Sequence, residues 1–332
     1  MHGLSISMGH GIWGPVGIVN NVNCQDLRSD AISRAGLTGA DYDQRTLPLG
    51  SEQFGVVVDT SDRWSRLTWR TAVDIELTPE VMAYASVSTG LQSGGFTEIC
   101  SSVATCVPYQ PETNRNHEIG LKADLSDDRL RINTAEFLTR YQDLQRNQVV
   151  PFVHAVGNET QETITINTGR SRATGAELEA IWTPTANMRF DLSTSYLRHE
   201  YRSFTPDDPE QGPQDLSNLG IPFSPKWQLG LGATIDQPLE LLETLVWNVG
   251  GHYQSEAETS VFNSTFTQME SRTLVNASIT WLEPNDRYWM SLYGRNLLDE
   301  THRLAGNSVA GLWNFTQFGS PRQWGLQIGA SF

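Results

Sequence analysis

The last residues of the chain alternate strictly between apolar and polar or small side chains, and this pattern constrains the fold most. In PRQWGLQIGASF, every second residue from Trp324 to Phe332 is apolar, and the residues between them are Gln, Gly or Ser. Residues 66–77, RLTWRTAVDIEL, repeat the alternation with Leu67, Trp69 and Ile75 on one face. A helix would scatter these apolar residues around its circumference, so the period of two predicts β-strands with one apolar face.

The same reading along the chain predicts eleven strands. Their lengths of about 10–15 residues exceed those of ordinary globular strands and are typical of tilted strands that cross a bilayer. The predicted strands lie at residues 66–77, 80–90, 114–125, 129–143, about 165–182, about 187–201, 227–235, 244–254, 271–282, 287–297 and 321–332. In the fourth of them the apolar phase changes from Ile132 to Phe137 and Tyr141, which predicts a bulge near Asn133.

The connections between these strands are alternately short and long. Short, turn-rich connections at residues 78–80, 126–128, 184–187 and 283–286 alternate with long ones at 91–113, 144–164, 202–224, 255–270 and 298–320. The connection DQPLELLETL is the exception, since it is longer than the others on its side and could hold a helical turn. Short turns at one end and long loops at the other are typical of an outer-membrane barrel, with the long loops outside the cell.

Charge and apolar content agree with this class. The formal net charge of −15 argues against a nucleic-acid-binding protein, and no apolar run approaches the roughly 20 residues of a membrane-spanning helix. Membrane-spanning β-strands need neither a long apolar run nor high hydropathy, because only alternate residues face lipid.

Several separated segments resemble the C-terminal part of the barrel of TonB-dependent outer-membrane receptors. They include WSRLTWRTAVDIELTPEVMAYASVSTGLQSGGF, YQPETNRNHEIGLKADLSDDRLRINTAEFLTRYQDLQ, RATGAELEAIWTP, YGRNLLDE and PRQWGLQIGASF, in that order over residues 64–332. The resemblance implies an all-β fold: a transmembrane antiparallel barrel segment of about 11 strands, half of the family's barrel of about 22 strands. Residues 66–332 would be this C-terminal half, and residues 1–65 the remnant of a preceding extracellular loop. The family's plug and TonB-contacting box find no match here, so we expect a truncated receptor without its plug.

The resemblance also implies function, location and partners. The family takes up scarce large solutes, most commonly ferric siderophores, across the outer membrane of Gram-negative bacteria, and the chain would contribute part of the barrel. Implied partners are outer-membrane lipid, the barrel-assembly machinery, the TonB complex through the missing plug, and the solute. The resemblance assigns the assembly signal to the terminal strand through Trp324, Leu326, Ile328 and Phe332.

Nothing in the sequence indicates an enzyme, a cofactor or a metal site. The seven histidines are dispersed, and no HExxH, CxxC, GxSxG or P-loop pattern occurs. The aromatic residues near strand ends, Tyr84 among them, are interpreted as the girdles of a membrane barrel. Polar residues on the other face would form the hydrated wall, some of it in contact with solute; they are Arg70, Asp74, Glu76, Glu118, Lys122, Asp124, Glu177 and Glu179.

The three cysteines leave two interpretations open. Cys100 and Cys106 share one predicted extracellular loop, where a disulfide would pin the loop and leave Cys24 unpaired; three free thiols are the alternative.

Two other functions stay open at the sequence level. One is a complete small outer-membrane barrel that acts as an adhesin or passive channel, which needs a twelfth strand from residues 1–65, around 54–58. The other is a secreted soluble β-protein or glycan-active enzyme, which the exposed apolar stripes oppose.

Overall fold

The computed structural model describes residues 4–11, 62–97, 108–153, 159–167, 169–208, 212–240, 243–284, 287–309 and 313–330. All regular structure in these residues is β-strand. No helix in the described part of the chain is long and apolar enough to cross a membrane.

Twelve strands form one antiparallel sheet in which every strand pairs with its neighbours in chain order. All eleven predicted strands are present, with ends that differ from the predicted ones by a few residues. The strands are β1 (Leu4–Gly11), β2 (Thr68–Thr78), β3 (Val81–Gln92), β4 (Glu112–Leu125), β5 (Leu130–Gln142), β6 (Arg170–Thr185), β7 (Met188–Ser203), β8 (Trp227–Pro238), β9 (Thr244–Gln254), β10 (Arg272–Leu282), β11 (Tyr288–Arg295) and β12 (Gln323–Ala330).

The pairing register keeps one chemical character on each face of the sheet. Leu292 of β11, for example, lies opposite Leu326 of β12 and Ile279 of β10, whereas Ser291 lies opposite Gln327 and Thr280. We call these the apolar face and the polar face. The terminal strand follows the rule: Trp324, Leu326 and Ile328 lie on the apolar face, with 64%, 58% and 74% of their surfaces exposed. Phe332 lies outside the described residues.

Two glycines of β12 show how the polar face is filled. A Cβ atom at Gly325 would lie 2.3 Å from Cζ of Tyr293, and one at Gly329 would lie 2.1 Å from Nε1 of Trp289. The alternating glycines in GLQIG therefore make room for aromatic rings of the neighbouring strand.

The alternation of short and long connections is confirmed. At one end of the sheet, two to five residues join β2 to β3, β4 to β5, β6 to β7, β8 to β9 and β10 to β11. At the other end, five long connections each carry a small two-stranded hairpin. Their strands are Gly95–Phe96 with Pro108–Tyr109, Gln145–Val153 with Glu159–Asn167, Asp207–Asp208 with Gly212–Pro213, Ala257–Glu258 with Gln268–Met269, and Arg303–Val309 with Trp313–Phe318.

The connection expected to hold a helical turn is shorter than the sequence indicated. Strand β8 continues to Pro238 and β9 begins at Thr244, and the amide of Leu239 donates to the carbonyl of Glu243 at 2.8 Å. Residues 241–242 lie outside the described residues.

The first strand was not among the eleven predicted ones. Strand β1 pairs with β2 from Leu4 opposite Ile75 to Gly11 opposite Thr68. It is a twelfth strand, but it lies at residues 4–11 and not around residues 54–58. Residues 54–58 lie outside the described residues. Within the described part of the chain no pairing joins β1 to β12, so these two strands are the edges of the sheet.

The bulge predicted near Asn133 is absent, and that prediction was wrong. Strand β5 keeps an unbroken register with β4 and with β6 along its whole length. Phe137 and Tyr141 therefore lie on the polar face with Asn133. Phe137 is accommodated there by a glycine, since a Cβ atom at Gly175 would lie 2.5 Å from its Cζ.

The buried core of the molecule lies at the long-connection end rather than between the faces of the sheet. Leu144, Tyr201, Phe204, Ile221 and Val261 form a buried cluster, which we call the loop core. Phe204 is fully buried, and its ring centroid lies 4.7 Å from that of Tyr201. Residues from the top of β7 and from three long connections thus pack together over the sheet.

Candidate functional site

The polar face carries the charged residues that the sequence assigned to a hydrated wall. Asp74 lies opposite Tyr84, Glu118 opposite Ser86, and Lys122 opposite Met82. The register places all eight predicted residues on this face; the other five are Arg70, Glu76, Asp124, Glu177 and Glu179.

Like Trp289, Tyr84 lies on the polar face, which corrects the interpretation of both as girdle aromatics. Its hydroxyl donates to Oε1 of Glu118 at 2.9 Å, and Nζ of Lys122 lies 5.7 Å from its ring centroid. Its ring covers Gly120, where a Cβ atom would lie 2.5 Å from Cε1 of Tyr84. Aromatic character alone did not distinguish the two faces.

Aromatic pairs on the apolar face do lie near strand ends. Tyr196 packs on Trp227 at a centroid distance of 4.7 Å toward the long-connection end, and Trp182 packs on Phe190 at 5.5 Å beside a short turn. This arrangement agrees with two aromatic belts at the upper and lower limits of an apolar band.

Side-chain hydrogen bonds tie the first two long connections to each other. Nε2 of Gln145 donates to the carbonyl oxygens of Ser93 and Gln110, both at 2.9 Å. The backbone amide of Gln145 donates to Oε2 of Glu112 at 2.8 Å. Asn167 adds a second tie, because its Nδ2 donates to the carbonyl of Gln110 at 2.9 Å. Gln145 is buried, so each of these bonds replaces water that the amide has lost.

A second set of bonds ties the last two long connections. Oγ1 of Thr259 lies 2.7 Å from the carbonyl oxygens of Thr267 and Gly306, and it accepts from the amide of Gly306 at 3.1 Å. A Cβ atom at Gly306 would lie 2.4 Å from the carbonyl oxygen of Phe266, so this close approach requires glycine. Nη1 of Arg303 donates to the carbonyls of Thr265 and Gln268 at 3.1 and 2.9 Å.

A cavity of about 680 Å³ lies among the long connections, and we call it the loop cavity. Residues from all five long connections line it, together with Gln92 at the end of β3. Its volume is in the range of small-molecule sites, and its lining combines aromatic rings with amides, hydroxyls and one guanidinium. The other lining residues are Tyr109, Gln145, Arg146, Asn147, Thr163, Thr165, Pro222, Phe223, Thr259, Ser260, Val261, Phe262, Gly306 and Asn307.

Arg146 is the charged group of the loop cavity. Its Nη1 donates to the carbonyl of Gln145 at 2.9 Å. Its Nε is buried and has no hydrogen-bond partner among the described residues. A guanidinium whose Nε donor is buried and unused favours an anionic or oxygen-rich ligand.

The carboxylate of Glu258, which precedes the cavity-lining residue Thr259, has a perturbed pKa. Burial raises the pKa of Glu258, and the charge of Glu256 adds to the effect, while a hydrogen bond from Thr267 opposes it. Oγ1 of Thr267 lies 3.4 Å from Oε2 of Glu258, next to the ties made by Thr259.

Cys24, Cys100 and Cys106 lie outside the described residues, so the loop disulfide stays a prediction. In the described part of the chain no group of three or more His, Cys, Asp and Glu side chains could hold a metal ion. Sequence reasoning named no residue of the loop cavity, because its members are spread over five connections.

Comparison with known proteins identifies the class of this protein. The family model described as "TonB dependent receptor-like, beta-barrel" matches residues 34–297. The chain therefore belongs to the TonB-dependent receptor family, and the match covers the barrel part. Membership locates the sheet in the outer membrane of a Gram-negative bacterium, with the apolar face toward lipid and the polar face toward the lumen.

Particular relatives are distant. The pesticin receptor of Yersinia pestis is 24% identical over 235 residues, which cover 69% of this chain and 31% of the relative. A pesticin receptor of Yersinia enterocolitica is 23% identical over the same shares. The chain thus spans about a third of the length of the curated relatives it matches.

Solved structures with the same fold are siderophore receptors. The ferric yersiniabactin uptake receptor of Yersinia pestis matches with a TM-score of 0.66 and 19% identity, over 82% of this chain and 38% of that chain. The siderophore receptor PiuA of Acinetobacter baumannii matches with a TM-score of 0.61 and 19% identity, over 82% and 37%. The ferripyoverdine receptor of Pseudomonas aeruginosa matches with a TM-score of 0.57 and 17% identity, over 83% and 34%. At these low sequence identities, the structural matches establish the fold of this chain.

Proposed function

We propose that this chain forms the C-terminal part of the barrel of a receptor that takes up a ferric siderophore across the outer membrane. In this proposal residues 66–332 are barrel wall and long extracellular loops, and the loops supply part of the solute-binding surface. The chain acts by binding and passage rather than by catalysis. Energised uptake belongs to a receptor that also has a plug and a contact with TonB.

The observation that carries the proposal is the loop cavity. All five long connections contribute to it at their end of the sheet, and Nε of Arg146 is a buried, unpartnered donor there. Ferric siderophores present many oxygen atoms and, in many cases, net negative charge, which a guanidinium and amide donors can bind. Tyr109, Phe223 and Phe262 add ring surfaces suited to an organic ligand.

A binding experiment tests the solute class. The full chain in detergent micelles would be titrated with ferric catecholate, ferric hydroxamate and ferric phenolate siderophores, with tryptophan fluorescence as the signal. We expect saturable binding of at least one class, and Arg146→Gln should weaken it about tenfold or more, the value of one charged hydrogen bond. Arg129→Gln is the matched control, because Arg129 lies in the short turn at the opposite end.

Absence of saturable binding for all three classes of ferric siderophore would contradict the proposal that the solute is a siderophore. Equal weakening by Arg146→Gln and Arg129→Gln would contradict the loop cavity as the binding site.

A passive channel is the second candidate, and the twelve strands of the sheet favour it because small outer-membrane barrels have even strand numbers. Closure of β1 on β12 would be required. Steady ion conductance of the chain alone in a planar bilayer would support this candidate, and absence of conductance would favour the receptor.

A further inference from the structure

Three arginines lie side by side on the apolar face near the extracellular end. Arg115 of β4 is directly opposite Arg140 of β5, which is directly opposite Arg172 of β6. We call them the arginine row. Directly opposite residues have Cβ atoms about 5 Å apart, and like charges in such pairs destabilise a sheet. Three adjacent arginines therefore destabilise the sheet unless a negatively charged partner neutralises them.

The described residues do not neutralise this row. None of the three arginines forms an ion pair within the described part of the chain. Glu200, which lies opposite Arg172 on β7, is engaged by Nη2 of Arg198 at 3.0 Å and by Arg202. In addition, Nε of Arg172 is buried and has no hydrogen-bond partner among the described residues.

An apolar groove lies directly below the arginine row on the same face. It has a volume of about 720 Å³, and Arg172 forms part of its rim. Residues of six neighbouring strands, β2 to β7, line it. Apolar side chains predominate on this face, and the titratable members there are His117, Glu136, Arg172 and Tyr196. The apolar members on this face include Val73, Val87, Ile119, Leu138 and Ala176.

The height of the row matches the edge of the membrane. Trp182, which lies beside a short turn, and Arg172 are ten residues apart on β6. Ten residues span about 33 Å along a strand, or about 23–27 Å along the axis of a barrel with its usual strand tilt. The apolar band of an outer-membrane barrel is about 25 Å tall, so the arginine row lies where lipid headgroups of the outer leaflet begin.

We propose that the arginine row and the groove bind one phosphorylated, multiply acylated glycolipid of the outer leaflet. Its phosphates accept hydrogen bonds from the guanidinium groups, which suit phosphate geometry, and its acyl chains lie in the groove. The lipid would neutralise the row and supply an acceptor for Nε of Arg172. This inference rests on the outer-membrane location and is independent of the proposed solute.

The first test uses the unaltered full chain in detergent micelles. Binding of lipid A with two phosphates would be compared with dephosphorylated lipid A of the same acylation by native mass spectrometry, at two salt concentrations. With about 1 kcal/mol per arginine near a charged lipid surface, we expect about a hundredfold preference for the phosphorylated lipid, reduced by salt. Equal binding of the two lipids would overturn the proposal. Inorganic phosphate that displaces the lipid at equal concentration would also overturn it, because the acyl chains would then contribute nothing.

Matched variants locate the site. The triple variant Arg115→Gln, Arg140→Gln and Arg172→Gln should lose the preference for phosphorylated lipid. The control triple Arg129→Gln, Arg131→Gln and Arg189→Gln changes the net charge by the same amount at the short-turn end and should keep it. Circular dichroism would verify the fold of both. Equal preference in the two triples would contradict the proposed site, and a triple variant that does not fold leaves the test on the unaltered chain decisive.

Discussion

The sheet and the long connections of this protein are stabilised in different ways. In the sheet, backbone hydrogen bonds support twelve strands in a register that shifts near the ends of the β2–β3 and β6–β7 pairs, and each side chain needs only the right polarity for its face. In the connections, individual side chains such as Gln145, Thr259 and Asn296 make several specific bonds each. Many positions of the sheet therefore accept any side chain of the right polarity, whereas the connections depend on particular residues. Substitutions can test this difference.

The largest effect is expected in the loop core. Phe204→Ala removes a fully buried ring and should lower the free energy of unfolding of the long-connection end by about 3–5 kcal/mol. Hydrogen exchange should show faster opening of residues 204–226 with unchanged protection in β8–β10. The control Phe318→Ala removes a ring that is 54% exposed and should have little effect. Equal loss of protection in the sheet and the connections would contradict the separation of the two regions.

A smaller effect is expected from one charge on the apolar face. Val249 lies at the middle of β9 with 50% of its surface exposed, and Asn248 lies beside it on the polar face. Val249→Arg should destabilise the protein in bilayers by about 2–4 kcal/mol, because the charge enters the hydrocarbon region. Asn248→Arg should cost no more than about 1 kcal/mol, for the lost hydrogen bond with Thr234. Similar urea midpoints for the two variants in vesicles would show that the faces are not distinct.

The next effect concerns the exit of β11 from the sheet. Asn296 is buried with a φ of 48°, and its side chain bonds the amide and carbonyl of Glu300 and the carbonyl of Ser320. Asn296→Ala should lower local stability by about 1–3 kcal/mol, since backbone groups lose their partners. Asn296→Gly loses the same side-chain bonds but keeps the positive φ at low cost, so a smaller loss of stability than in Asn296→Ala indicates backbone strain at this position. Limited proteolysis within residues 296–322 reports both, and unchanged cleavage in both variants would rule out an anchoring role.

The smallest effect is a pH dependence at Glu258. Its pKa is raised in the folded protein, so the folded state binds its proton more tightly than the unfolded state does. Protonation of Glu258 therefore stabilises the folded protein at low pH. This stabilisation is lost as the pH rises from the pKa of Glu258 in the unfolded state through its higher pKa in the folded state. Glu258→Gln should raise the thermal midpoint slightly at pH 7 and leave it unchanged at pH 4. A midpoint that shifts equally at both pH values would exclude this titration as the cause.

Most of the sheet could be predicted from the sequence because its information is local. Alternation in QWGLQIGASF and RLTWRTAVDIEL identifies both the strands and their faces, and turn residues mark the short connections. The errors came where an apolar residue lies on the polar face: Phe137 and Tyr84 fill space above Gly175 and Gly120 on neighbouring strands, which periodicity alone does not reveal.

The loop cavity could not be predicted, because its members meet only through the fold. Gln145 bonds to Ser93, 52 residues earlier, and Thr259 to Gly306, 47 residues later. By contrast, Asn296 in RNLLDE bonds to Glu300, only four residues later. The arginine row escaped notice for the same reason as the cavity, since Arg115, Arg140 and Arg172 are neighbours only in register.

A spin-label scan along β9 tests the central claim most directly. Single cysteines would be placed from Thr244 to Gln254 in a background with Cys24, Cys100 and Cys106 replaced by Ser, and the labelled chain would be reconstituted in outer-membrane lipid. We predict that accessibility to oxygen, which concentrates in the lipid, and to a water-soluble nickel complex alternates with a period of two and in opposite phase. Oxygen accessibility should peak at Leu245, Trp247 and Val249. Accessibility to both reagents without alternation, or with a period near 3.6, would contradict a barrel wall with one lipid-facing and one lumen-facing side.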